Sequence, residues 1–178
     1  MARPYQPSLL RLLHGGTAAL ALVAWGSGLL VYNRYDGRWG RLPFTPPGEW
    51  IDIHGTLGVV LLPVALLFGL YALSLGWRRL RRPANALPLL ALSLAVGSGK
   101  LMQEDWLRDG ELQHAVYGVH LLAWLVLALV VLAHLGSLWR LGGQPLLRSM
   151  LSLRTRAGDL PGDWLGQIRR HFRTSAQS

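Results

Sequence analysis

The chain has no cysteine among its 178 residues. That absence excludes disulfides, a covalently attached c-type haem and an iron–sulfur cluster ligated wholly from this chain. Charge is scarce as well. Asp, Glu, Lys and Arg make up 15% of the residues against 51% apolar, and mean hydropathy is positive. Few charges and long Leu/Ala/Val runs argue for a membrane protein rather than a soluble globule. Acidic residues are the scarcer sign, 9 against 18 basic, which leaves a formal charge of +9. The basic residues flank apolar spans, so they read as topology signals and no nucleic-acid partner is expected. No cleavable targeting peptide is expected either. The first apolar run lacks a convincing small-residue cleavage site and is too long for a signal-peptide core, so it should remain as a helix.

Four runs are long enough to cross a hydrocarbon core of about 30 Å at about 1.5 Å per helical residue. The first extends from about Ser8 to Tyr32 and carries Arg11 and His14 near its start. The second extends from about Trp50 to Trp77, with His54 near its beginning and Pro63 expected to kink it. The third, about Ala86 to Met102, is the shortest and has no histidine. Its Gly97–Lys100 segment GSGK fails as a phosphate-binding loop, because Leu94 and Leu101 replace the required Gly and Ser/Thr. It reads as a small-residue helix end with Lys100 at the interface. The fourth run, from about Gln113 to Arg140, carries His114, His120 and His134.

Between the first two spans, Asn33–Glu49 is rich in Gly, Pro and aromatics and reads as an ordered loop, with Trp39, Phe44 and Trp50 as interface anchors. Beyond Arg140 comes a basic tail (141–178) whose amphipathic pieces suit a membrane surface or a partner better than an independent fold. Four spans put both termini on one side. Of the 18 Lys and Arg, thirteen lie in the N-terminal segment, the second loop and the tail or at the span ends beside them, while seven of the 9 acidic residues lie in the other two loops or at the span ends beside those. The positive-inside rule therefore places both termini in the cytoplasm. The expected fold is all-α: a four-helix transmembrane bundle over residues 1–140 followed by the cytoplasmic tail.

Imidazoles are rare inside hydrocarbon and mark functional sites there. His120 and His134 are fourteen residues apart, about four turns, so they project from nearly one helix face about 21 Å apart. Topology gives the others a depth. His14 matches His134 near the cytoplasmic surface. His54 and His120 both lie towards the outer one, with His120 the deeper, a mismatch that helix tilt or a ragged helix start could reconcile. Two imidazoles facing each other from different helices can ligate a planar haem from above and below. His14, His54, His120 and His134 are thus the candidate metal and cofactor ligands. Gly15, Gly16, Gly55 and Gly118 beside them could give clearance for the ring or serve helix packing. His114 is the rival outer ligand: its depth fits His54 better, but it lies about 240° round the helix from His120. His171, in the tail, is expected to face solvent. Arg11, one turn before His14, could neutralise a haem propionate or contact lipid phosphate. Zinc needs four convergent ligands, and these pairs are too far apart to supply them. Hydrolysis by a Ser/His/Asp set lacks support, since the spans hold no carboxylate partner near a His and Ser pair.

The segments RLLHGG, WIDIHGTLG and GVHLLAWLVLALVVLAH, with the fourteen-residue His120–His134 spacing, resemble the prokaryotic di-haem b-type cytochromes. These are the b-561-type proteins and the cytochrome b subunits of membrane-bound hydrogenases and formate dehydrogenases. The resemblance covers residues 8–140 and implies two non-covalent b-type haems, one held by His14 with His134 and one by His54 with His120. It also implies electron transfer between a quinone pool and another redox partner, by a quinone-linked oxidoreductase or the cytochrome b subunit of a larger complex. A homodimer is compatible with it. Lys100 and Gln103 are polar groups that could belong to a quinone site or simply anchor the interface. The expected location is a bacterial plasma membrane or a photosynthetic internal membrane. The contrasting expectation is a non-redox scaffold or transporter whose histidines relay protons.

Overall fold

In a bilayer, a spanning backbone has no water to bond, and an α-helix satisfies its own N–H and C=O groups, so apolar runs of this length become helices. The computed structural model describes residues 5–103 and 111–175. Its elements are α1 (Ser8–Tyr35), α2 (Trp50–Leu73), the short α3 (Trp77–Leu80), α4 (Pro83–Leu101), α5 (Glu111–Leu141), α6 (Gly143–Leu151), a 3-10 turn (Pro161–Asp163) and α7 (Trp164–Ser175). Helices α1, α2, α4 and α5 are each long and apolar enough to span, which makes the chain an all-α four-helix membrane bundle. Among the described residues there is no strand.

The bundle is two antiparallel hairpins. Helix α1 packs along α2, α4 packs along α5, and the hairpins meet through α2 and α4. Their shared core is thin: Ala24, Leu61 and Leu92, with Leu57, Val96 and Leu127 around them. Leu22, Leu70, Leu90 and Leu132 are exposed. On a soluble protein such a girdle would be an aggregation hazard. In a bilayer it is the surface that contacts lipid.

Boundaries differ from the sequence expectation by a few residues. Helix α2 ends at Leu73 rather than Trp77: the Ser74 N–H makes a last helical bond to Leu70 at 3.1 Å, and the Gly76 N–H reaches back five residues to Tyr71 at 2.8 Å, closing the turn. A Cβ on Gly76 would lie 2.9 Å from Ala72 Cα, so this close turn requires glycine. The α2 helix continues through Pro63. Helix α4 starts early, at Pro83, where the missing N–H is one the first turn would leave unbonded anyway.

The first loop is ordered, as its composition suggested. Tyr32 Oη accepts the Trp39 N–H at 2.5 Å, Asn33 bonds both Leu42 and Thr45, and Arg34 donates to the Gly48 carbonyl at 2.7 Å. Asp36 accepts bonds from Arg38 at 2.9 Å and from Tyr117 of α5, which ties the loop to the far hairpin.

The tail forms no fold of its own among the described residues and clasps the start of α1. Asp159 accepts the Ser8 N–H at 2.8 Å and the Ser8 hydroxyl at 2.9 Å, Tyr5 donates to the same carboxylate, and Trp164 Nε1 donates to Ser8 Oγ at 2.8 Å. Pro7 offers no side-chain cap. A distant carboxylate therefore supplies what the unbonded N–H groups and the positive end of α1 require. Sequence spacing could not reveal this bond, since 151 residues separate its partners.

Candidate functional site

Each spanning histidine sits about where its helix register placed it, and the tertiary fold joins them in two pairs. His14 of α1 and His134 of α5 have ring centres 6.3 Å apart, with 41° between their planes. His54 of α2 and His120 of α5 have centres 6.0 Å apart, with 69° between planes. The first pair lies towards the end that holds the tail, and the second lies towards the first loop. The sequence-level depth mismatch between His54 and His120 does not keep them apart. His114 is exposed on α5, and His171 is exposed in α7, edge-on to Phe172 at 5.6 Å.

Three of the four rings are fixed through Nδ1. His54 Nδ1 lies 3.1 Å from the Ala24 carbonyl and 3.0 Å from Ser27 Oγ of the neighbouring α1. His120 Nδ1 lies 3.0 Å from the Ala95 carbonyl and 3.1 Å from Ser98 Oγ of the neighbouring α4. His134 Nδ1 lies 2.9 Å from the Ala84 carbonyl. A carbonyl oxygen can only accept, so Nδ1 carries the proton in each case. The lone pair is thereby left on Nε2, the nitrogen free to bind a metal. Small residues make these contacts possible. A Cβ on Gly28 or Gly99 would come within 3.1 Å of the His54 or His120 Cε1 atom, so glycine lets each ring lie against the neighbouring helix.

A family model described as prokaryotic cytochrome b561 matches residues 5–153. The chain belongs to the prokaryotic cytochrome b561 family. It is therefore an integral membrane, haem b electron-transfer protein. No curated protein and no solved structure matches it.

The residues of this b561-family chain fit the haem that membership implies. Imidazole nitrogen lies about 2.0–2.1 Å from a bound metal, so rings on opposite sides of one ion have centres roughly 6 Å apart. Both pairs have that separation. The inner site also has polar atoms suited to an acidic group. Arg11 and Thr17, one turn before and one turn after His14, are 8% and 3% exposed, and Arg11 Nε and Thr17 Oγ1 have no hydrogen-bond partner among the described residues. Arg11 is buried and donates from Nη1 to the Ser152 carbonyl.

The sequence reading missed the groups that hold the rings. It weighed ring clearance against helix packing at Gly15, Gly16, Gly55 and Gly118, where a Cβ would meet either open space or ordinary contacts at 3.8–3.9 Å. The close approaches are at Gly28 and Gly99, on the opposing helices. A signal was present: Ala24–Gly28 reads AWGSG and Ala95–Gly99 reads AVGSG. The GSG in α4 is the His120-facing surface of a hairpin, beyond its role as a small-residue helix end.

Proposed function

We propose that this b561-family protein is a di-haem cytochrome, in which His14 and His134 would hold an inner haem and His54 and His120 an outer one. The observation that carries this reading is the double pairing: two imidazole pairs, each spaced for one ion, share α5 about four turns apart. Bound haem supplies a one-electron iron couple at each site. The chain's residues position it. Ala24, Ala95 and Ala84 hold three imidazoles in the tautomer that presents Nε2, and Arg11 with Thr17 offers donors to a propionate at the inner site.

The protein carries electrons between the membrane quinone pool and a redox partner, alone as a quinone-linked oxidoreductase or as the cytochrome b subunit of a larger complex. Both termini are cytoplasmic, in a bacterial plasma membrane or a photosynthetic internal one, as the Lys/Arg distribution indicates. The tail is a clasp on the bundle's cytoplasmic end. A proton-relay role has less support, because Nδ1 of His54, His120 and His134 bonds to backbone carbonyls and serine rather than to titratable groups.

The deciding experiment is haem quantitation per chain on the purified full-length protein, with a reduced-minus-oxidised spectrum. Two haems per chain and b-type bands are expected. A spectrum without b-type bands, or one haem per chain at saturation, sinks the di-haem reading.

A further inference from the structure

The two AxGSG segments do the same job in the two hairpins. Ala24, Ser27 and Gly28 of α1 meet His54 of α2, and Ala95, Ser98 and Gly99 of α4 meet His120 of α5. Carbonyl to Nδ1 is 3.1 Å in one hairpin and 3.0 Å in the other. Serine Oγ to Nδ1 is 3.0 and 3.1 Å. The approach of a glycine Cβ to Cε1 would be 3.1 Å in both. The outer site is thus quasi-twofold, with each ring gripped by the same three residues of the preceding helix.

The inner site breaks that symmetry. Fourteen residues after His120 comes His134, whereas fourteen residues after His54 comes Phe68. Phe68 packs edge-on against His14 with ring centres 5.7 Å apart. His14, from α1, pairs with His134 in the place where an exact repeat would put position 68. His134 bonds the Ala84 carbonyl with no serine beside it, and the His14 ring has no hydrogen bond among the described residues.

The serine hydroxyls have a defined polarity. Ser27 Oγ donates to the Ala24 carbonyl at 2.9 Å, and Ser98 Oγ donates to the Leu94 carbonyl at 2.6 Å. With its proton committed to the backbone, each oxygen is left to accept the Nδ1–H. Two acceptors on one N–H draw the proton away and raise the basicity of Nε2, and a more basic ligand favours the oxidised metal.

We infer that the AxGSG pair is a tuning device for the outer site: Ser27 and Ser98 are positioning residues that lower the midpoint potential of the haem held by His54 and His120 relative to the same ligands without them. This rests on the di-haem reading. It makes the two centres unequal through the protein's own hydrogen bonds, with axial ligands of one type throughout.

The test is a spectroelectrochemical titration of the purified full-length holoprotein, wild type against Ser27→Ala, Ser98→Ala, Ser27→Thr and Ser98→Thr. Haem content and a His54→Ala control come first. If wild type lacks two haems, or His54→Ala retains both, the di-haem reading itself fails before any serine is considered. Given two haems, each alanine variant should raise one midpoint, the one absent in His54→Ala. The expected change in the oxidised-to-reduced ratio is about three- to tenfold, tenfold being about 59 mV for one electron. The threonine variants, which keep the hydroxyl, should restore it. Selective loss of the outer haem in an alanine variant, reversed by threonine, also supports the assignment. Midpoints that do not move, that move together or that fall would overturn it. So would haem loss from both sites that threonine does not reverse.

Discussion

Trp25 and Trp124 each donate an indole N–H to the other's backbone carbonyl, both at 3.1 Å, with their rings stacked 4.8 Å apart at 11°. Trp25 lies between His14 and the His54-facing Gly28 on α1, and Trp124 lies between His120 and His134 on α5. The pair therefore bridges the two hairpins at a depth between the two histidine pairs. Indole suits the position, since it offers a large apolar face and one donor that must be satisfied when buried.

Replacing either tryptophan by phenylalanine keeps the ring and removes one of the two bonds. An interhelical hydrogen bond in a membrane contributes about 0.6–2 kcal/mol. Trp25→Phe and Trp124→Phe should each lower stability by that order, measured by detergent or thermal unfolding followed through haem absorbance. If the double variant loses no more than either single one, the two bonds act as one unit. If neither variant changes stability, the bridge makes no contribution.

The histidine assignment separates cleanly by substitution. His120→Ala and His54→Ala should each leave one haem per chain, as should His14→Ala and His134→Ala. His114→Ala should leave both, because that side chain is exposed on α5 while His120 faces His54. Pyridine haemochrome assay per chain reads the result. Full retention by His120→Ala with loss in His114→Ala would transfer the outer ligand to His114.

The tail clasp should respond to acid. Burial pushes the Asp159 carboxyl up, but hydrogen bonds from Tyr5, Ser8 and Gln167 outweigh it and hold the group below its ordinary value of 3.8. A carboxyl lowered by folding stabilises the docked form above its free-chain pKa, and that stability is lost as pH falls through the lowered value. Docking should thus be constant at neutral pH and weaken only below about pH 4. Hydrogen exchange across α7 and at Ser8 would follow it, and Asp159→Asn should reproduce the loss of protection at pH 7. Equal protection in Asp159→Asn and wild type would show that the carboxylate does not hold the clasp.

Orientation can be tested directly because the chain has no native cysteine. Single variants Pro47→Cys, in the first loop, and Ser178→Cys, at the end of the tail, should label oppositely in intact cells. A membrane-impermeant maleimide should reach position 47 and not position 178. The inverse pattern would put both termini outside and invert the two sites.

Much of this protein is written in the linear sequence, because the bilayer imposes simple conditions on it. Apolar runs must be helices, arginine asymmetry predicts an orientation, and the register of one helix aligns His120 with His134. His14 and His54 follow from span order and depth. The three-dimensional contacts required the fold. Which acceptor meets each Nδ1 depends on how close two helices approach, and that is set by Gly28 and Gly99, far in sequence from the rings they admit. The same holds for Asp159, which caps α1 from 151 residues away, and for Arg11, whose length lets it face lipid or interior until the tail supplies the Ser152 carbonyl. Sequence determined the helices, the histidines and their faces. Tertiary packing decided which backbone and serine oxygens hold those histidines, because hydrogen bonds between helices depend on interhelical distance, which no periodicity along one helix contains.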